Sequence, residues 1–202
     1  MISRKWLLSQ ARFCLTLLPD GKVMTAARPP ISEDARGPRV QIRAATSADA
    51  PQVASLLLES FIEYKDLYTP EGFAATTPTV DGVLARMEEG PVWVALSGSS
   101  VAGTVAAVNR GGDLYVRGMA VLPAARGRRI GELLLREVEG YARAQAYRRL
   151  VLSTTPFLHR AICLYERFGF LRCEEGARDL FGTPLFTMAK DLRQTGERAG
   201  SG

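Results

Sequence analysis

Residues Ala125–Leu135 read ARGRRIGELLL. Three arginines and two glycines run straight into an apolar, leucine-rich segment. Just before them, residues 114–123 read LYVRGMAVLP, which alternates and then ends in proline. A strand gives way to a helix here, and the start of that helix is rich in positive charge and poor in bulk. A helix N-terminus leaves backbone N–H groups unpaired and carries a partial positive charge. Glycine lets a phosphate come close to the backbone, and arginine adds charge and forked donors. The stretch predicts an anion site between a strand and a helix.

Working outward, the pattern alternates. VQIRAA (40–45) is a short strand. Residues 46–65 predict a helix capped by Thr46 or Ser47, with an apolar stripe at Val53, Leu56, Leu57, Phe61 and Tyr64. Residues 66–79 read as an irregular loop, and VDGVLARMEEG (80–90) as a short helix ended by Gly90. PVWVALSGSSVAGTVAAV (91–108) is a hairpin closed by a Ser/Gly turn. The strand at 114–123 has Gly118 as a candidate bulge. Residues 130–146 form a helix with a stripe at Ile130, Leu133, Leu134, Val138, Tyr141 and Ala142. RLVLSTT (149–155) is a strand, LHRAICLYERFG (158–169) a helix closed by Gly169, and FLRCEE (170–175) and PLFTMAKDL (184–192) two final strands. There are no internal repeats. This order predicts one α/β domain with a mixed sheet.

Composition bounds the function. The 202 residues are enough for one domain with a real core, and 47% hydrophobic content fits a soluble protein. No apolar run approaches the roughly 20 residues that cross a membrane. Cys14, Cys163 and Cys173 share no metal-ligand spacing and read as free thiols of a reducing, cytoplasmic compartment. A single histidine, His159, argues against a zinc site or a Ser-His-Asp triad, so no metal is expected. The net charge of +5 is concentrated in residues 1–40, where seven Lys/Arg face three Asp/Glu. The body is nearly balanced, which makes binding to a nucleic-acid backbone unlikely. Residues 1–38 read as a disordered or leader-like extension, 39–192 as the folded domain and 193–202 as a flexible tail.

Two segments carry a family resemblance. Arg126-Gly127-Arg128-Arg129-Ile130-Gly131 resembles the Gln/Arg-x-x-Gly-x-Gly/Ala loop of the GCN5-related N-acetyltransferases (GNAT), with Arg129 in place of the first consensus glycine. Leu164-Tyr165-Glu166-Arg167-Phe168-Gly169-Phe170 resembles the family's Leu-Tyr-x-x-x-Gly-Phe segment. The resemblance covers residues 39–192. It implies a single GNAT-type domain: a mixed, mostly antiparallel sheet flanked by helices, with splayed central strands. It also implies an acyltransferase that moves an acetyl group from acetyl-CoA to a primary amine by direct attack in a ternary complex. By that resemblance, backbone groups of Met119, Ala120 and Val121 hold the pantetheine arm, and the amides of residues 127 to 132, Gly127 to Glu132, hold the pyrophosphate. Leu158 stands where many relatives have an asparagine that contacts pantetheine. Arg126, Arg128 or Arg129 could reach the 3′-phosphate. The departure at Arg129 is mild if its backbone is helical and serious if φ is positive.

Acyl transfer to an amine needs a neutral amine, a donor for the oxyanion and a proton for the leaving thiolate. By family position Tyr165 supplies that proton. The glutamate that some members use as base falls on Tyr115 here, which leaves Asp113 as the nearest carboxylate. Residues 59–80 shape the acceptor side in this family. Their Glu59, Glu63, Asp66 and Glu71, with Phe61, Tyr64, Tyr68 and Phe73, suggest a mouth suited to a cationic small-molecule amine. Glu63, Tyr64 and Tyr68 are the substrate-binding candidates. A regulatory acyl-CoA-binding module without turnover and a protein or tRNA acetyltransferase stay open as alternatives. So does a homodimer, because exposed edge strands can pair.

Overall fold

The apolar runs between 92 and 121 build the centre of the sheet. In the computed structural model, which describes residues 39–174 and 178–192, β2 (Val92–Ser97), β3 (Ser100–Arg110) and β4 (Asp113–Val121) are consecutive antiparallel strands. Two tight turns fix their register. Gly98 leads the β2–β3 turn with φ 66°, and Gly111 and Gly112 carry φ 60° and 86° between β3 and β4. Positive φ at both central positions is what the type I′ hairpin turn demands. β1 (Val40–Ala44) flanks β2. On the far side come β5 (Arg149–Thr154), parallel to β4, then β8 (Thr183–Asp191), β6 (Leu171–Arg172) and a short β7 (Arg178–Leu180) paired with β8. The sheet is mixed and mostly antiparallel, as expected.

Helices cover both faces. α4 (Ile130–Ala144) packs Ile130, Leu134, Leu135, Val138 and Ala142 against Val105, Leu114, Val116, Leu150 and Leu152. α5 (His159–Arg167) joins that cluster through Tyr165. α1 (Ala50–Phe61) and α3 (Val80–Glu89) cover the other face with Val53, Leu56, Leu57 and Val83 against Val94, Val101 and Ala120. Leu134 is fully buried, so truncating it to alanine would cost about 2–5 kcal/mol. α4 can lie close to β3 because Gly103 is bare: a Cβ there would sit 2.9 Å from Ile130 Cγ2.

The sheet differs from expectation in three places. Residues 66–79 are not all loop: α2 (Pro70–Thr76) starts where Thr69 Oγ1 accepts from the Gly72 N–H at 3.1 Å. Threonine followed by proline and glutamate is a helix-start signal, masked here by the glycine and threonines that follow. The long first helix is shorter than its pattern suggested. It follows a single turn Ser47–Asp49, capped by Thr46 in a capping box with Asp49, and after Phe61 tightens into a 3-10 segment, Ile62–Leu67. The strand expected at 170–175 reduces to Leu171–Arg172, and β7 was not foreseen. The extension 1–38 and the tail 193–202 lie outside the described residues, as does Cys14. Among the described residues, no helix is long and apolar enough to cross a membrane.

Candidate active site

One irregularity opens the sheet. Thr104 pairs with Ala120 but Ala106 pairs with Arg117, so two residues of β4, Gly118 and Met119, stand opposite the single residue Val105. Gly118 has φ 57°, the conformation a glycine bulge uses. β4 and β5 pair only from Leu114 to Val116. Beyond the bulge they part, and the β5-facing edge of Arg117–Val121 has no neighbouring strand among the described residues. A cleft of about 620 Å³ fills the gap, a size suited to a small-molecule or cofactor arm.

The loop after β4 closes one end of this cleft. The first backbone bond of α4 runs from the Leu133 N–H to the Arg129 carbonyl at 3.1 Å. Among the described residues, the N–H groups of Gly127, Arg129, Ile130, Gly131 and Glu132 have no backbone partner, and these residues line the cleft. Gly127 has φ 81° with open space around it. Arg129, at the position of the consensus glycine, has φ 60° and ψ 15°. The departure is therefore the serious kind, because a side chain in the left-handed region costs about 1–2 kcal/mol. Gly131 is bare for another reason. A Cβ there would lie 2.8 Å from Leu164 Cδ2 and 3.3 Å from Met119 Cε, so its missing side chain serves helix packing.

The loop arginines have protein partners. Arg126 Nη1 is 2.6 Å from Glu63 Oε1, and its Nη2 donates to the Ser60 carbonyl at 3.3 Å. Arg128 Nη1 donates to Ser97 Oγ at 2.9 Å, outside the cleft lining. Arg129 and Arg136 both hold Glu132, at 3.0 and 2.6 Å, and keep its carboxyl below the usual range.

Tyr165 projects from α5 toward the parting of the strands. It is buried, with its ring 5.8 Å from that of Phe170. Burial first, then the nearby phenols of Tyr68 and Tyr115, push its pKa well above the ordinary tyrosine value. Leu158 caps α5 and lines the cleft, and its side chain makes no capping hydrogen bond. Met119, Ala120, Val121, Tyr64 and Tyr68 line the same cleft. Burial raises the Tyr68 phenol too. Phe157, which no sequence motif marks, braces these rings, 4.9 Å from Tyr68 and 6.2 Å from Tyr64.

Two expectations need correction. Asp113 is not in the cleft lining. It starts β4, six residues and roughly 20 Å before Met119, and binds Arg149 at 2.7 Å and Arg148 at 3.5 Å. Its carboxylate is engaged by these arginines outside the cleft, out of reach of an amine bound there. The acidic mouth is also absent: Glu59, Glu63, Asp66 and Glu71 do not line the cleft. Glu63 is taken by Arg126, and the acceptor end holds Arg86, Arg110 and Arg117 instead. Among the described residues, no group of His, Cys, Asp and Glu could hold a metal ion.

A bulged, splayed sheet over a glycine-arginine helix start can receive an extended, phosphate-bearing ligand along an open strand edge. The sequence matches the Acetyltransferase (GNAT) family over residues 52–170. It is 31% identical over 136 residues to the uncharacterized N-acetyltransferase YjgM of Escherichia coli K12, covering 64% of this chain and 80% of that protein. Its fold is similar to PaiA N-acetyltransferase of Thermoplasma acidophilum, solved in complex with coenzyme A, with TM-score 0.66 and 16% identity over 76% of this chain and 99% of that one. It is also similar to the ribosomal-protein-S18-alanine N-acetyltransferase of E. coli, with TM-score 0.63 and 16% identity over 81% and 100% of the two chains. The chain belongs to the GNAT family of acetyltransferases, an acyltransferase family whose co-substrate is acetyl-CoA. The site fits that molecule. An open strand edge can receive the amide-bearing arm, and the unpaired amides at the start of α4 suit a pyrophosphate.

Proposed function

We propose that this protein transfers the acetyl group of acetyl-CoA to the primary amine of a small molecule by direct attack, with both bound at once. The observation that carries the reading is Tyr165, a buried phenol beside the gap between β4 and β5, held in its protonated form by burial. A proton donor must keep its proton until the leaving group needs it. The amine nitrogen forms a bond to the acetyl carbon as the carbon–sulfur bond breaks. Tyr165 gives its proton to the sulfur, and the proton lost by the amine returns through solvent. The Met119 or Val121 N–H is placed as donor to the carbonyl oxygen. No carboxylate serves as base in this reading, since Asp113 lies outside the cleft and Tyr115 replaces the strand glutamate.

The acceptor half supports a small molecule. Tyr64, Tyr68 and Tyr115 wall it with rings, which suits a compact body. The free thiols of Cys163 and Cys173 fit a reducing compartment, and we place the protein in the cytoplasm. An initial-rate screen of amines, following thiol release from acetyl-CoA, tests the function. Release with free small amines supports it. Turnover of peptide N-termini alone overturns the small-molecule acceptor. Tight acetyl-CoA binding with no thiol release on any amine favours the regulatory module, for which Leu158 and Tyr115 are the motivating departures.

A further inference from the structure

The acceptor half of the cleft has a charge that the acetyl donor does not explain. Its walls hold the guanidiniums of Arg86 from α3, Arg110 from β3 and Arg117 from β4. The carboxylate in the cleft lining, Glu132, lies at the other end and is already held by Arg129 and Arg136. Arg117 Nη2 is 2.6 Å from Glu89 Oε2, an exposed carboxylate outside the lining, but its Nε is buried with no hydrogen-bond partner among the described residues. Arg86 donates to the Ala75 carbonyl at 2.7 Å, and among the described residues no carboxylate lies within 4.0 Å of it. Arg110 lies over the Tyr115 ring, its Cζ 3.9 Å from the centroid, and likewise has no carboxylate partner. Burial, and then the charge of Arg117, lower the Arg86 pKa against the opposing charge of Glu89.

Arg86, which lies beside Arg117, also sits next to the reacting centre, and Arg110 lines the cleft from the end of β3. A Cβ on Gly118 would lie 3.1 Å from Arg86 Nη1, and Gly118 adjoins Met119, where the oxyanion donor is placed. The CoA phosphates belong to the start of α4, roughly 13 Å further along from Arg117 to the end of β4. Like charges gathered in a partly desolvated wall are unfavourable until an anion joins them. Guanidiniums match a carboxylate by forked hydrogen bonds.

We infer that the acceptor is an amine that also carries a carboxylate, a molecule of the amino-acid class, and that Arg86, Arg110 and Arg117 receive that carboxylate while the amine faces the acetyl carbon. This deepens the acetyl-transfer reading and rests on it. The same positive wall favours the neutral, attacking form of the amine, which the site needs because it has no carboxylate base.

The test is equilibrium binding, which does not depend on turnover. The protein, first titrated with CoA and then saturated with it, is titrated by calorimetry with a panel of free amino acids, their carboxamides and their aminophosphonate analogues. At least one free amino acid should bind tenfold or more tightly than its carboxamide. Arg110→Gln removes a guanidinium that lies over the Tyr115 ring, so it should leave the fold and CoA binding intact and weaken that amino acid about tenfold, against little change for the carboxamide. Arg117→Gln should do the same, with thermal melts as a check on folding. Carboxamides that bind as well as acids, no acid that binds, or a tighter aminophosphonate would overturn the inference. CoA binding lost from the unmodified protein would instead overturn the acetyl-transfer reading, and the amino-acid arm is then run without CoA and judged by the same criteria.

Discussion

Arg126 Nη1 lies 2.6 Å from Glu63 Oε1. One ion pair therefore ties the glycine-arginine loop to the 3-10 segment that follows α1. Glu63 belongs to the segment expected to shape the acceptor side, yet its contact is with the loop before α4. The pair is partly exposed and so worth at most about 1 kcal/mol.

That contact gives a first prediction. Glu63→Gln releases Arg126 toward the CoA phosphates, and acetyl-CoA affinity should rise about two- to fivefold. Calorimetric titration reads it. An unchanged affinity would mean that Arg126 anchors the loop and never meets a phosphate.

Tyr165→Phe should keep the ring packed on Phe170 and remove the proton. We expect kcat to fall about a hundredfold or more, with acetyl-CoA affinity essentially kept. Because the phenol pKa is raised above its ordinary value of 10.0, the protonated, active form persists to higher pH than for a free tyrosine. The parent should show no loss of rate from this group below about pH 10. Equal rates for parent and variant would remove Tyr165 from the chemistry.

Arg129 occupies a left-handed conformation that favours glycine. Arg129→Gly should relieve that strain, less the extra freedom glycine has in the unfolded chain. The expected net gain is about 0.5–1 kcal/mol, a rise in Tm of about 2 °C for a chain of this size. A melting curve that moves down would show that the pair with Glu132 outweighs the backbone.

Asp49 accepts from Arg43 at 2.7 and 2.8 Å and from the Thr46 N–H at 2.7 Å. The Arg43 hydrogen bond, above all, holds its carboxyl well below the usual range, against the opposing effect of burial. A depressed folded pKa means stability that is present above the unfolded value of about 3.9 and fades as pH falls below it. Asp49→Asn keeps an acceptor for the Thr46 N–H but removes the charge facing Arg43, and should cost about 1–2 kcal/mol at pH 7. In urea titrations the gap between parent and variant should shrink below about pH 4. A gap that stays constant to pH 2 would rule out the charged pair as its source.

The local steps of the fold were readable from residue order. A Ser/Gly turn between apolar runs placed β2 and β3, alternation placed β4, and the stripe Ile130, Leu134 and Val138 placed α4, because each depends on near neighbours. Gly118 marked the bulge for the same reason. α2 stayed hidden because its cap, Thr69, sits among residues that favour turns. β7 stayed hidden because three residues carry no period.

The sequence alone marked the glycine-arginine loop and the Tyr165 segment, since both are runs of adjacent residues. What only the tertiary structure decided are partnerships between distant ones. Asp113 looks like a base until Arg149, at the start of the neighbouring strand, and Arg148 just before it bind it outside the cleft. Gly131 looks like room for a phosphate until Leu164 fills the space. The acidic residues of 59–71 look like a mouth until the chain turns them away from the cleft. Arg86, Arg110 and Arg117 share no spacing or motif. Arg86, from the helix before the central hairpins, meets Arg117 beside the bulge, Arg110 lines the same cleft from the end of β3, and charge seen across space cannot be read along a chain.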